Sequence, residues 1–230
     1  MHFLLLGATG RTGQHVVSEL LSQGHTAVAL VRNATKLTTR PGLTVVVGSP
    51  LSAPDIQRAL SATGSLKPSA AIFTLNAVRK SDSPFAPQIS PPRFLADSCA
   101  NTCDALERAG VHRIVVMSTA GVGDSWASLP WLSRAFMGWT NVKYALEDHD
   151  LLDKEIRARK LDWTLVRATR LQFDGAEQEP TTTKAEVQTL DSKGSGMRMT
   201  DSVRVSTVSR FLIKVAVEGL FVKSAVVVRD

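Results

Sequence analysis

The stretch His2-Phe3-Leu4-Leu5-Leu6-Gly7-Ala8-Thr9-Gly10-Arg11-Thr12-Gly13 carries the strongest local signal in this chain of 230 residues. Its apolar run predicts a buried strand, and glycine then occupies every third position. Between a strand and a helix, Gly7 permits a tight turn, Gly10 lets backbone amides approach a pyrophosphate, and Gly13 allows the helix to pack closely. Free N–H groups at the start of such a helix bind phosphate. The motif therefore predicts a dinucleotide-binding loop.

Short apolar runs alternate with helical periodicities through most of the remaining chain. Strands are predicted at 2–6, 27–31, 43–47, 70–75, 113–117, 163–167 and 226–228. Between them, Ser52-Ala53-Pro54-Asp55 is typical of a helix start. This alternation favours a parallel sheet that helices cover on both faces. We therefore predict a Rossmann-like, doubly wound α/β sheet in a single domain over 1–230.

Three segments interrupt this pattern and are predicted to cover a substrate. Segment 76–92 contains four prolines, which oppose regular structure, and long loops in compact domains are usually functional. Segment 126–140 concentrates aromatic residues, which either line an apolar pocket or belong to a short helix that packs into the core. Segment 172–202 is polar, contains Gly194 and Gly196, and is predicted to form a further wall.

Charge and composition exclude several classes of function. The net charge of +6 comes from basic residues interleaved with acidic ones, which argues against a nucleic-acid partner and favours a small anionic ligand. No apolar run is long enough for a signal peptide or a membrane span, so we expect no membrane partner. Cys99 and Cys103 fit two buried thiols on one helix, which indicates a reduced, cytoplasmic protein without a metal site.

The end of the second predicted strand indicates which dinucleotide binds. Enzymes that bind NAD usually carry an acidic residue there for the ribose diol, whereas this chain has Arg32. Arg11, Lys36 and Arg40 are close in sequence or in the predicted fold. Because the 2′-phosphate of NADP is an anion that guanidinium groups bind well, we predict NADP, as NADPH, as the cofactor.

The chain resembles the atypical short-chain dehydrogenases of the NmrA-like, NAD(P)H-binding type, which include biliverdin IXβ and flavin reductases. The resemblance covers nearly the whole chain and is carried by 7–13, 30–32, 46–48, 105–113, 114–121 and 161–167. It implies a Rossmann-like fold and a nicotinamide cofactor. The expected cofactor contacts are Gly7, Thr9, Gly10, Arg11, Thr12, Gly13, Arg32, Ser49, Leu75, Asn76, Ser118 and Thr169.

The chain departs from the pattern of this family at three cofactor positions. Ser49 follows Gly48 where relatives usually have an aspartate, so a carboxylate near the adenine is missing. Asn76 stands where the family has a glycine near the end of the fourth strand, and 167–169 read Arg-Ala-Thr instead of Arg-Pro-Gly. These changes affect the predicted affinity for the cofactor and leave the phosphate loop intact.

The usual catalytic pair of short-chain dehydrogenases has no equivalent at the single tyrosine. In that pair a lysine four residues after a tyrosine lowers the phenol pKa, but Asp148 follows Tyr144 at this spacing. Alignment with the family places Ala145 at the tyrosine position and His149 at the lysine position. His149 is therefore a candidate proton donor or acceptor, with a structural core histidine as the alternative.

Two further candidates complete the predicted catalytic set. Ser118 ends the fifth predicted strand, where related enzymes place a hydroxyl beside the substrate carbonyl, although it also fits a simple strand-end cap. Tyr144 with Asp148 forms a second acid/base candidate, for which a solvated helix face is the alternative.

Three functions are compatible with these observations. The first is an NADP-dependent reductase of a bulky apolar or aromatic small molecule, in which Ser118 or His149 assists proton transfer. The second is a non-redox isomerase or cyclase that uses acid/base catalysis on the same fold, prompted by the changes at Ser49, Asn76 and Ala168. The third is an NADP-sensing regulatory protein. We expect a monomer or a weak homodimer, because no apolar helix is left over for an extensive interface.

Overall fold

The computed structural model of the protein describes residues 1–173 and 186–230. Its strands are β1 (His2–Leu6), β2 (Thr26–Val31), β3 (Leu43–Val47), β4 (Ala70–Phe73), β5 (Arg113–Thr119), β6 (Asp162–Ala168), β7 (Arg170–Gln172), β8 (Gln188–Leu190), β9 (Ser202–Arg204) and β10 (Ser224–Arg229). Eight of them form one sheet in the order β3-β2-β1-β4-β5-β6-β10-β8, and β7 pairs with β9 in a second sheet. Among the strands of residues 1–173 and 186–230, only β8 runs antiparallel to its neighbour in the large sheet.

The helices are α1 (Arg11–Ser22), α2 (Ala53–Ser61), α3 (Phe94–Ala109), α4 (Trp131–Trp139), α5 (Val142–Arg157) and α6 (Val205–Glu218), with short 3-10 turns at Ala34–Lys36 and Gly123–Ser128. The predicted start of α2 is confirmed, because the Ser52 side chain accepts a hydrogen bond from the N–H of Asp55. Gly110 ends α3 in the left-handed conformation.

Helices cover both faces of the large sheet, which confirms the doubly wound α/β prediction. Alternate side chains of β1 point to opposite faces: Leu4 and Leu6 pack in a core with α2, α3 and α5. Phe3 and Leu5 pack in a second core with α1 and α6. A strand that is buried on both faces needs apolar side chains at every position. This explains the continuous apolar run at 2–6.

The strand order reverses at β1, which positions the functional site. After β3 the chain returns to the other side of β1 and continues with β4, so β1 pairs with both β2 and β4. At such a reversal the loops beyond the carboxyl ends of the strands separate and leave a crevice, where ligands of this fold class bind. The glycine loop and the ends of β4, β5 and β6 all lie at this edge.

The structure differs from the prediction mainly in short strands. β7, β8 and β9 lie within or beside the predicted irregular segment 172–202, and three-residue strands are too short to show a period. The remaining part of that prediction, 174–185, lies outside the described residues. Segment 76–92 contains no strand, as predicted, although the N–H of Lys80 donates to the carbonyl of Pro87 in a hairpin-like turn.

No helix among the described residues has the length and apolar character needed to cross a bilayer.

Candidate cofactor and active site

The glycine loop has a backbone geometry that side chains would disrupt. Gly7 has φ +91°, and a Cβ there would lie 2.6 Å from the backbone carbon of Thr74 on the neighbouring chain segment. A Cβ on Gly13 would lie 2.1 Å from the carbonyl oxygen of Gly7. Both positions therefore require glycine, one for the turn and the other for the close approach of α1 to the loop.

The N-terminus of α1 is suited to an anion. Gly10 is the N-cap residue and supplies no capping side chain, and the first turn of α1 contains no acidic residue. The first N–H groups of a helix and its dipole favour negative charge in this position. The loop can thus hold a pyrophosphate through backbone amides, as the glycine spacing predicts.

A cavity of about 140 Å³ lies at the carboxyl ends of β4, β5 and β6. Its walls combine polar and apolar side chains from the glycine-loop helix, these strands and α5. The lining residues are Thr12, Thr74, Leu75, Asn76, Met117, Ser118, Thr119, His149, Ala168, Thr169 and Leu171. The structure therefore brings six predicted site residues together, namely Thr12, Leu75, Asn76, Ser118, His149 and Thr169.

Ser118 and His149 are in contact at the wall of this cavity. The Oγ atom of Ser118 lies 3.4 Å from Nδ1 of His149. The two residues are only 3% and 6% exposed. Burial lowers the pKa of His149 to about 4, and the negative charge of Asp153 opposes this shift only in part. At neutral pH the imidazole is consequently uncharged and has one nitrogen that donates and one that accepts.

The structure assigns Asp148 a contact away from the cavity. Its carboxylate accepts hydrogen bonds from the N–H groups of Leu95 (2.8 Å) and Ala96 (3.0 Å) at the start of α3. A carboxylate in this position satisfies free amides and complements the helix dipole. Tyr144, one turn earlier on α5, is 45% exposed. The predicted Tyr144–Asp148 pair is thus divided between the surface and the α3–α5 contact.

Arg167 pairs with α5 one turn after His149, and it was not among the site residues predicted from the sequence. Its guanidinium is fully buried and pairs with the carboxylates of Asp153 on α5 and Asp124 on the 3-10 turn. It also donates to the carbonyl of Ser192 at 2.6 Å. The available signal was an arginine directly after the apolar pair Leu165-Val166 inside a predicted strand, because a buried charge requires partners. Arg167 thereby fixes the helix that carries His149.

A carboxylate lies next to Ser49 although the chain lacks the family aspartate there. Asp55 of α2 accepts a hydrogen bond from the N–H of Ser49 at 2.9 Å. This backbone hydrogen bond lowers the pKa of Asp55. The ends of β2 and β3 therefore present Arg32, which is exposed, together with an acidic group from α2.

Arg11 joins the glycine loop to two of the predicted covering segments. Its guanidinium forms an ion pair with Asp82 of segment 76–92 at 3.2 Å. The same group stacks 3.9 Å above the centroid of the Phe173 ring. Arg11 is largely exposed, so a phosphate group can reach it from the solvent side.

Segment 126–140 contributes no residue to the cavity wall. It contains the predicted short helix, α4, but none of the nine residues of this helix is buried. Of the two alternatives for this segment, the core-packed helix is therefore wrong, and the aromatic residues do not line the cavity described above. Its aromatic side chains lie on the protein surface.

Two solved structures illustrate the similarity of the whole fold. ChuY, an anaerobilin reductase from Escherichia coli O157:H7, superposes with a TM-score of 0.74 at 21% identity over 100% of this chain and 97% of that chain. A short-chain dehydrogenase/reductase from Veillonella parvula, in complex with NADP, has a TM-score of 0.74 at 16% identity, over 100% and 94% of the two chains. At these identities the similarity concerns the fold.

A curated relative extends the comparison at the level of sequence. The 3-diazoavenalumate denitrifying reductase of a Streptomyces species is 32% identical over 121 residues, which are 52% of this chain. The match spans 38% of the length of that relative.

The model of a family described as NAD(P)H-binding matches residues 7–218, which include the glycine loop, the cavity and α5. This match confirms the resemblance to an NAD(P)H-binding family that was inferred from the sequence. The chain belongs to the NAD(P)H-binding family.

Proposed function

We propose that this protein is an NADPH-dependent reductase of an apolar or aromatic small molecule. The observation that carries the proposal is the position of the Ser118–His149 contact, in a cavity that Thr12 of the glycine-loop helix also lines. Residues at the start of this helix would hold the pyrophosphate of a dinucleotide, and residues that line the cavity would hold its nicotinamide end.

The residues present fit such a cofactor. The amides after Gly7 and Gly10 would hold the pyrophosphate, and Leu75, Asn76 and Thr169 would border the nicotinamide. The bound nicotinamide supplies a hydride to the acceptor. Arg32 and Arg11 would bind the 2′-phosphate, since both are exposed cations near the glycine loop and the end of β2.

Reduction also requires a proton, and the side chains of Ser118 and His149 would deliver it. The Ser118 hydroxyl would donate a hydrogen bond to the acceptor atom that gains negative charge, and thereby stabilise it. The neutral His149 imidazole would donate its Nδ1–H to the Oγ atom of Ser118 and so orient the hydroxyl. When the hydroxyl proton passes to the reduced acceptor, the Nδ1 proton would pass to Oγ while Nε2 takes a proton from solvent, so the imidazole ends neutral. Burial of both groups would keep bulk water away from the hydrogen bond between Ser118 and the acceptor.

Cofactor titration is the direct test. NADPH and NADH are added to the purified protein while nicotinamide fluorescence is followed, and tight binding of NADPH is expected. Failure of both nucleotides to bind at near-millimolar concentration would exclude the reductase and also a regulatory sensor of NADP.

Turnover is tested in the same samples. Oxidation of NADPH is measured with a flavin, a quinone and an aromatic diazo acid, the last because the Streptomyces relative is named for such a substrate. Turnover that falls in Ser118→Ala supports the reductase. Binding without turnover on a broad panel of acceptors would favour the sensor instead.

A further inference from the structure

Three of the four tryptophans lie in one surface segment. Trp126 is 39% exposed, Trp131 is 72% exposed and Trp139 is 87% exposed, whereas Trp163 is buried. Large aromatic side chains are usually at least half-buried in a soluble domain, and clusters of exposed ones mark sites of contact. Because α4 buries none of its residues and lines no part of the cavity, neither folding nor the proposed reaction explains these side chains.

A second segment extends this exposed apolar region. The side-chain amide of Asn141 donates to the carbonyl of Phe85 at 2.7 Å, and its backbone N–H donates to Pro84 at 2.9 Å. These bonds attach the tip of segment 76–92 beside the junction of α4 and α5. We call the combined region the aromatic surface; its exposed members are Phe85, Ile89, Trp131, Leu132, Phe136, Trp139 and Tyr144.

The charges within this region are mainly basic. Segment 76–92 contributes Arg79, Lys80 and one acidic residue, Asp82, whose carboxylate is paired with Arg11. Between Ser125 and Leu146 the only charged residues are Arg134 and Lys143. Beyond these limits, the carboxylate of Asp124 is paired with Arg167 and Ser192, and Glu147 is exposed on α5. A two-fold dimer through this region would bring identical patches, and therefore like charges, together. Anionic headgroups are complementary to it instead.

The arrangement matches a helix that lies in the plane of a bilayer interface. Tryptophan side chains favour the headgroup level, where the ring is in an apolar layer and its N–H is hydrated. α4 has a tryptophan at each end, apolar residues between them and Arg134 as its one charge. Basic residues on the polar side of such a helix bind anionic lipids.

We propose that the aromatic surface docks the protein on an anionic lipid bilayer, without crossing it. This contact differs from the expectation of no membrane partner, which rested on the absence of a long apolar run; a nine-residue surface helix is too short to form one. α4 follows β5 through the 3-10 turn, so docking would bring the carboxyl edge of the sheet near the lipid. The proposal does not depend on the reductase function.

Binding of the full-length protein to vesicles tests this proposal. Vesicles of equimolar phosphatidylcholine and phosphatidylglycerol are compared with phosphatidylcholine alone, by co-sedimentation and by tryptophan emission. We expect binding to the anionic vesicles with a blue-shifted emission. In ~0.5 M salt, where the Debye length is about 4 Å, the affinity is expected to fall at least tenfold.

Substitutions locate the contact. The double variant Trp131→Ala, Trp139→Ala should abolish sedimentation, and Arg134→Gln with Lys143→Gln should weaken it about tenfold at low salt. Leu66→Ala removes an exposed apolar side chain between α2 and β4, at the amino edge of the sheet, and should have no effect. Because the replaced side chains are exposed or only half-buried, circular dichroism is expected to be unchanged.

Three results would overturn the proposal. The first is absence of binding to anionic vesicles in lipid excess. The second is equal binding by the double tryptophan variant. The third is a stable dimer that dissociates in that variant, which would identify a second copy of the chain as the occupant. NADPH titration without vesicles remains a separate measurement, so failure here leaves the proposed reductase unaffected.

Discussion

The Oγ atom of Ser118, at the end of β5, lies 3.4 Å from Nδ1 of His149 on α5. The residues are 31 positions apart in the chain and meet because α5 packs beside the carboxyl end of the sheet. Arg167 fixes α5 through Asp153, and Asp148 fixes it to α3. The proposed proton path thus depends on two carboxylates that do not take part in it.

Replacement of Ser118 tests this path. Ser118→Ala is expected to lower NADPH turnover on the order of 100-fold, because the hydrogen bond to the charge-gaining atom is lost. The dissociation constant for NADPH should change little, since the substitution removes only one hydroxyl. Ser61→Ala, on the exposed end of α2, is the matched control. Equal rates in the two variants would exclude Ser118 from catalysis.

The lowered pKa of His149 predicts that the stability of the protein depends on pH. This pKa is about 4 in the folded protein, below the value of 6.5 for an unperturbed histidine, so the unfolded chain binds the proton more readily. The free energy of unfolding should therefore fall as pH decreases from about 6.5 to about 4, by about 3 kcal/mol in total.

Urea denaturation at several pH values measures this effect. His149→Gln should remove the contribution, whereas His112→Gln, at an exposed position, should retain it. An unchanged pH dependence in His149→Gln would show that the imidazole is not held neutral.

Asp148 is predicted to stabilise the fold. Asp148→Ala leaves the amides of Leu95 and Ala96 without their acceptor, so the free energy of unfolding should fall by about 2 kcal/mol. Glu147→Ala, at the exposed neighbouring position, should change it by less than about 0.5 kcal/mol. Thermal or urea denaturation distinguishes the two. If Asp148→Ala instead preserved stability and abolished turnover, the carboxylate would have a chemical role.

Arg32 is predicted to determine cofactor preference. Arg32→Ala should weaken NADPH binding about tenfold and leave NADH binding nearly unchanged, because only NADPH carries the 2′-phosphate. Arg108→Ala, on the exposed last turn of α3, serves as the control. Fluorescence titration of both nucleotides measures the ratio. A parallel loss for NADPH and NADH would contradict the assignment.

Gly13 is predicted to tolerate no side chain. Gly13→Ala places a methyl group 2.1 Å from the Gly7 carbonyl oxygen, so α1 must move away from the loop. We expect loss of NADPH binding and a decrease in unfolding free energy of about 2 kcal/mol. Gly138→Ala is the matched change, since no atom of the described residues outside its own stretch of helix lies within 4 Å of a Cβ built there. Normal NADPH affinity in Gly13→Ala would refute the proposed phosphate loop.

Local sequence patterns were sufficient to predict the fold, because the spacing of apolar residues indicates directly which faces of a strand or helix are buried. The run at 2–6 is apolar on both faces, and the glycines after it identify where a helix must approach a strand. Strand order and the family resemblance follow from the repetition of such units. β7 and β9, each three residues long, escaped prediction because their pairing is long-range and their length shows no period.

The roles of individual polar residues could be assigned only from the tertiary structure. Tyr144, Asp148 and His149 lie within six residues of one helix, yet one is exposed, one caps α3 and one contacts Ser118. A helical period of 3.6 residues distinguishes faces, but not what each face meets. The environment of each group depends on how α5 is placed against α3 and β5. Glycine spacing thus indicated a nucleotide-binding fold from the chain alone, whereas long-range packing selected the polar groups that reach its cavity.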